Sequence, residues 1–165
     1  MKTKILDCTL RDGGYYTNWD FSSDVVKTYI ETTNKLPVDY LEVGYRNKPT
    51  KEYMGKFGYT PVSILKKLRK SSKKKLAVML NEKSTLPEDL DELLTPIKGL
   101  ADMVRLAVDP KNFERAVVLA KAVKALGFEV AFNTMYMSKW STEYKGFLDN
   151  LSEINGVADL FCMVD

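Results

Sequence analysis

MVRLAVDPKNFERAVVLAKAVKALGFEVAFNT, residues 103–134, contains a strand, a helix and a second strand in that order. Met103–Val108 is an apolar run broken only by Arg105. Asp109-Pro110 then supplies a helix start, a capping carboxylate followed by proline in the first turn. Ala116, Leu119, Ala120, Val123 and Leu126 fall on one side of the helix, and Gly127 is the stop signal. Residues 129–134 form the next apolar strand. A strand, a crossover helix and a second strand make a parallel pair buried on both faces.

The same unit recurs outward from this stretch. Residues 4–9 are a first strand, followed by the turn-rich loop Asp12-Gly13-Gly14 and a helix capped by Ser22 or Ser23. Val26, Tyr29, Ile30 and Thr33 line one face of that helix, and Pro37 ends it. Tyr40-Leu41-Glu42-Val43-Gly44 is the second strand. Thr60-Pro61 predicts a capping hydroxyl with proline at the first helical position. Residues 75–80 are the third strand, Pro87 opens a third helix, a helix over 142–154 follows the fifth strand, and residues 160–164 form a sixth. Regular βα alternation predicts a parallel sheet covered by helices. An open doubly wound sheet and a (β/α)₈ barrel both satisfy it. The 165 residues favour the open sheet on length alone, because a closed barrel takes about 250.

Composition bounds the function. The chain is 45% hydrophobic and 28% charged, enough for one globular core over residues 1–165. A net charge of +3 without a basic, aromatic-rich stripe argues against a nucleic-acid partner. The dense run Lys66-Lys67-Leu68-Arg69-Lys70 suits a solvated helix C-terminus. No apolar run reaches the length of a membrane span, and no signal peptide is visible. Cys8 and Cys162 fit buried reduced thiols, which suits a cytoplasmic protein. The chain has no histidine, so any chemistry it performs relies on other acid–base groups and ligands.

Polar residues gather at the predicted C-terminal ends of strands, where barrel enzymes place their sites. Arg11 offers a rigid fork of donors for a carboxylate or an enolate oxygen. Asp12 offers a hard oxygen to Mg²⁺ or Mn²⁺. An exposed ion pair in a turn would use the same two letters. Glu42, flanked by apolar residues, needs a partner inside a buried strand, and Arg11 is the natural one. A structural salt bridge would satisfy it equally. Arg105 and Asn133 can bind a substrate carboxylate or carbonyl, or hydrogen-bond within the layers of a barrel. Asn81 is similar.

Leu6-Asp7-Cys8-Thr9-Leu10-Arg11-Asp12-Gly13-Gly14 resembles the opening motif of the DRE-TIM metallolyases, lyases and acyl-condensing enzymes built on a TIM barrel. The likeness is greatest to the 4-hydroxy-2-oxovalerate aldolase group. It extends through Leu41-Glu42-Val43-Gly44, Phe57-Gly58-Tyr59, Met103-Val104-Arg105-Leu106-Ala107 and Cys162-Met163-Val164-Asp165. The resemblance reverses the preference for an open sheet. It implies a single TIM-barrel domain, incomplete here after about six βα units.

It further implies a metal-dependent carbon–carbon lyase that releases pyruvate from a 4-hydroxy-2-oxo acid through an enolate. Asp12 would be the metal ligand, Arg11 and Glu42 catalytic, and Asp7 a support. The implied cofactor is Mn²⁺ or Mg²⁺, its other ligands a His-x-His pair on a seventh strand that this chain does not contain. The aldolases carry an acid–base histidine just after the Arg-Asp-Gly. Tyr15 stands there in this chain, as a catalytic phenol or a packing aromatic. Alternatives are a Claisen-type condensation of an acyl-CoA with a 2-oxo acid, and an inactive barrel fragment. Exposed barrel edges imply self-association or a homo-oligomer.

Overall fold

The computed structural model describes residues 3–165; Met1 and Lys2 lie outside the described residues. Six strands form one sheet: β1 Leu6–Asp7, β2 Tyr40–Tyr45, β3 Lys75–Asn81, β4 Met103–Val108, β5 Glu129–Thr134 and β6 Leu160–Met163. They lie in chain order and every neighbouring pair is parallel. Helices lie between them: α1 Thr9–Thr17, α2 Ser23–Thr33, α3 Lys56–Tyr59, α4 Val62–Ser71, α5 Leu90–Leu93, α6 Phe113–Ala125 and α7 Lys145–Asn150. Among the described residues no helix is long and apolar enough to cross a membrane.

Alternation within each strand creates two cores. Leu41, Val43, Leu76, Val78, Val104, Leu106, Val130 and Phe132 face the helices and pack with Leu65, Leu68, Leu119 and Val123. Each such side chain contributes roughly 1.5–3 kcal/mol by leaving water. A smaller cluster, Tyr40, Ala77, Met103 and Ala131, lines the other face, with Leu6 of β1 and Leu160 of β6 packed against it. The two edge strands share that cluster because the sheet curls. The Tyr40 hydroxyl on β2 donates to Glu129 Oε2 on β5 at 2.7 Å, across the concave side. The fold is therefore an incomplete parallel β/α barrel of six strands with outer helices, and the open doubly wound alternative is excluded.

Several local expectations change. Residues 9–14 are helical, not strand end and loop. Asp7 Oδ1 accepts from the Thr9 N–H at 3.0 Å and starts α1 early, leaving β1 two residues long. Gly14 lies inside that helix, where a Cβ would meet the Trp19 ring at 2.0 Å, so the position takes no larger residue without a shift of that ring. Thr60 does not cap α4. Its backbone is left-handed, with φ 39°, and its hydroxyl donates to the Phe57 carbonyl at 3.2 Å, closing α3 instead. The segment after Pro87 breaks into a 3₁₀ turn, the one-turn α5 and another 3₁₀ turn. The last helix begins at Lys145 rather than 142. Cys8 and Cys162 are free thiols, partly rather than fully buried.

Candidate active site

Glu42 is the third residue of β2 and points to the concave face, with its side chain fully buried. Its Oε2 accepts from Arg105 Nη1, and Arg105 is the third residue of β4. Its Oε1 faces Arg11 Nε at 3.4 Å. Arg11 Nη1 in turn pairs with Asp12 Oδ1, and Arg105 Nη2 donates to Asn133 Oδ1 on β5. Asn133, Arg105, Glu42, Arg11 and Asp12 thus form one chain of contacts from β5 to α1. It crosses the concave face toward the C-terminal ends of the strands.

Arg11 stands near the start of α1, immediately beyond β1. Its guanidinium lies over the Tyr45 ring, 5.9 Å from the centroid. Its backbone carbonyl accepts from the Trp19 indole N–H at 2.9 Å. Burial disfavours the Arg11 cation, but Glu42, Tyr45 and Asp12 outweigh it and hold the guanidinium above its ordinary pKa. Burial also pushes the Glu42 carboxyl upward, against the pull of Arg105 and then Arg11.

Asp12 is half-exposed, and its Oδ2 accepts from the Cys8 thiol at 3.0 Å. Burial, reinforced by that bond, pushes the thiol up to about 11, so Cys8 remains protonated at neutral pH. Tyr15 is 61% exposed. Its hydroxyl lies 2.7 Å from the Tyr45 hydroxyl, and its ring meets Trp19 edge-on at 4.8 Å. Burial raises the Tyr45 phenol well beyond the usual tyrosine range, so Tyr45 stays protonated.

The donor set matches a hard divalent cation at one position only. Asp12 is a carboxylate of the right kind, but both its oxygens are already engaged. No group of three or more His, Cys, Asp or Glu side chains that could hold a metal occurs among the described residues. The described residues do not by themselves enclose a metal ion.

The structure places every residue singled out from the sequence. Arg11, Asp12, Glu42, Arg105 and Asn133 are joined, and Tyr15 adjoins them through Tyr45. The main surprise is the partner of Glu42. The sequence pointed to Arg11, but Arg105 makes the hydrogen-bonded contact and Arg11 the longer one. A signal for this existed. Third positions of alternate strands share a layer in a parallel barrel. Tyr45 reads in sequence as the first tyrosine of a loop over 45–59 and an anchor for it, whereas the structure places it at the end of β2 beside Arg11. Asp7 Oδ1 accepts from the Tyr29 hydroxyl and from the Thr9 N–H, neither of which belongs to the network. Asn81 caps a 3₁₀ turn through Lys83 N–H at 3.3 Å.

A curled parallel β/α sheet with a buried charge network near the C-terminal ends of its strands is the arrangement of TIM-barrel enzymes. The comparisons agree. The chain is similar to a solved structure described as the "N-terminal domain of a putative aldolase" from Bacteroides vulgatus. The two share 70% identity with a TM-score of 0.95 over 98% of this chain and 54% of that one. The chain thus spans about half the length of this relative. Pyruvate carboxylase from Rhizobium etli matches at 15% identity, TM-score 0.71, over 99% of this chain and 18% of that one. A variant carboxyl transferase domain of that enzyme, with pyruvate, matches at 15% identity, TM-score 0.66, over 99% and 31%. These last two show the fold. No family model matches, and no curated protein does. The likeness to the N-terminal domain of a putative aldolase agrees with the resemblance read from the opening motif.

Proposed function

We propose that this chain supplies the Arg11, Asp12 and Glu42 side of the active site of an aldolase, a carbon–carbon lyase that releases pyruvate from a 4-hydroxy-2-oxo acid. The observation that carries the proposal is the position of Arg11, which contacts Glu42 and Asp12 together at the mouth of the concave face. The 70% identity to an aldolase-like chain supports it.

Cleavage removes the proton of the 4-hydroxyl, breaks the C3–C4 bond and leaves an aldehyde and the enolate of pyruvate. The enolate then takes up a proton at C3. Arg11 is the donor for charge that develops on the keto oxygen, fixed in place before that charge appears. Glu42 keeps the guanidinium charged and oriented. Tyr15 is the candidate to exchange the hydroxyl proton, its phenol held by Tyr45. A hard cation, Mn²⁺ or Mg²⁺, belongs to the reading, with Asp12 as the one ligand offered here. Such an ion, when bound, favours negative charge on a keto oxygen.

The test is pyruvate release from short 4-hydroxy-2-oxo acids by the protein carrying this chain, with Mn²⁺ and a lactate dehydrogenase couple. Asp12→Asn is expected to lower turnover by about 100-fold or more. Unchanged turnover and Mn²⁺ binding in that variant would overturn the proposal.

A further inference from the structure

Arg105 belongs to the concave face yet is not placed to meet a ligand. Its side chain is 7% exposed. One terminal nitrogen is committed to Glu42 and the other to Asn133, itself buried. Its Nε is buried without a partner. Each terminal nitrogen already holds a protein partner and Nε is enclosed, so the guanidinium has no pair of uncommitted nitrogens with which to fork onto a substrate carboxylate.

Arg11 has the opposite problem. It follows a two-residue strand, and a long side chain there has much rotamer freedom to lose. Its neighbours are the face of Tyr45, the Oε1 of Glu42 and the half-exposed carboxylate of Asp12, and only the first two are held by the sheet. The Glu42 oxygen makes a charge contact with Arg11 but no aligned hydrogen bond, since Glu42 Oε1 and Arg11 Nε are both without hydrogen-bond partners. A carboxylate held by one such contact can turn about its last torsion. A second guanidinium on Oε2, anchored to another strand, fixes the carboxylate plane.

We infer that Arg105 is a positioning residue: braced by Asn133, it holds the Glu42 carboxylate so that Arg11 is aimed at the reacting oxygen, and it does not touch substrate. This rests on the aldolase reading for what Arg11 does, but not for how Arg11 is held. The same geometry makes Asn133 the outer brace rather than a substrate ligand.

The experiment uses the protein carrying this chain, as wild type, Arg105→Lys, Asn133→Ala, Glu42→Gln and Arg105→Lys with Glu42→Gln. Lysine keeps the charge but cannot bridge Glu42 and Asn133 together. Asn133→Ala loosens Arg105 without removing it, which keeps the question open to test if Arg105→Lys does not fold. Two readouts are taken. The first is the Nε–H resonance of Arg11 in ¹⁵N-arginine-labelled protein, assigned by its loss in Arg11→Lys. The second is the division of any activity change between kcat and KM.

The expected result is a broadened or lost Arg11 Nε–H signal in Arg105→Lys, and a smaller change in Asn133→Ala. kcat is expected to fall by about 10- to 100-fold, as for misplaced catalytic groups. KM should stay within about threefold, because no ground-state contact is removed. The double variant should lose no more than the worse single one, since both act through one link. An unchanged Arg11 signal would overturn the inference, and so would a KM rise larger than the kcat loss. If the wild type releases no pyruvate, the aldolase reading fails while the Arg11 resonance alone still decides the role of Arg105.

Discussion

Arg105 on β4 reaches past β3 to bond Glu42 on β2, two residues 63 positions apart in the chain and both buried on the concave face. Strands that are not neighbours share a contact only because the sheet curls. The charge network is thus a product of the barrel's curvature, and its stability and chemistry are tied to it.

Glu42→Gln leaves the guanidiniums of Arg105 and Arg11 facing a neutral amide in a buried layer. Breaking a buried pair by removing one partner costs about 3–5 kcal/mol. Urea unfolding followed by circular dichroism should show a loss of that size. A loss below about 1 kcal/mol would mean that the layer is wet.

Tyr15→Phe removes one hydroxyl whose protein contact is the Tyr45 hydroxyl. Because the ring is largely exposed, the melting temperature should barely move. Pyruvate release should fall by about 100- to 10,000-fold if the phenol exchanges the substrate proton. Full activity would make Tyr15 a packing aromatic.

Gly14→Ala sets two effects against each other. Alanine favours a helix interior over glycine by about 1 kcal/mol. The new methyl would meet the Trp19 ring at 2.0 Å, and that ring is tethered by its indole N–H to the Arg11 carbonyl. Overpacking of this kind costs about 1–3 kcal/mol. A net loss is expected, with a shift in Trp19 fluorescence measured in a Trp140→Phe background.

Asp159 gives the chain an acid-sensitive contact away from the site. Burial alone would raise its pKa, but the Lys124 ammonium and the Val130 N–H outweigh it and hold the carboxylate below its ordinary value. A depressed folded pKa contributes stability above the unfolded value, and that stability is lost as pH falls below about 4. The pair is partly exposed, so Asp159→Asn should cost no more than about 1 kcal/mol at pH 7. That difference should vanish near pH 2. A difference that grew on acidification would contradict the assignment.

Much of this was legible in the chain itself. Met103–Val108 and Glu129–Thr134 begin and end where their apolar runs do, and Gly127 follows the intervening helix with φ 92°. Strong periodicity and local stop signals carry that information without help from distant residues. Arg11, Asp12 and Glu42 stood out because charges beside apolar strands need partners. The helical state of residues 9–14 was not legible. Two glycines and an aspartate read locally as a turn, and the contacts that override that preference come from Trp19 and Tyr29.

By itself the sequence determined the strand–helix alternation, the parallel sheet and the identity of the polar residues at its strand ends, because periodicity and capping act within a few residues. Tertiary packing decided that Glu42 serves two arginines, that Arg105 rather than Arg11 makes its bonded contact, and that Tyr45 stands between Arg11 and Tyr15. Those relationships join strands and helices tens of residues apart, and only the curl of the sheet and the packing of α1 against it bring such side chains within bonding distance.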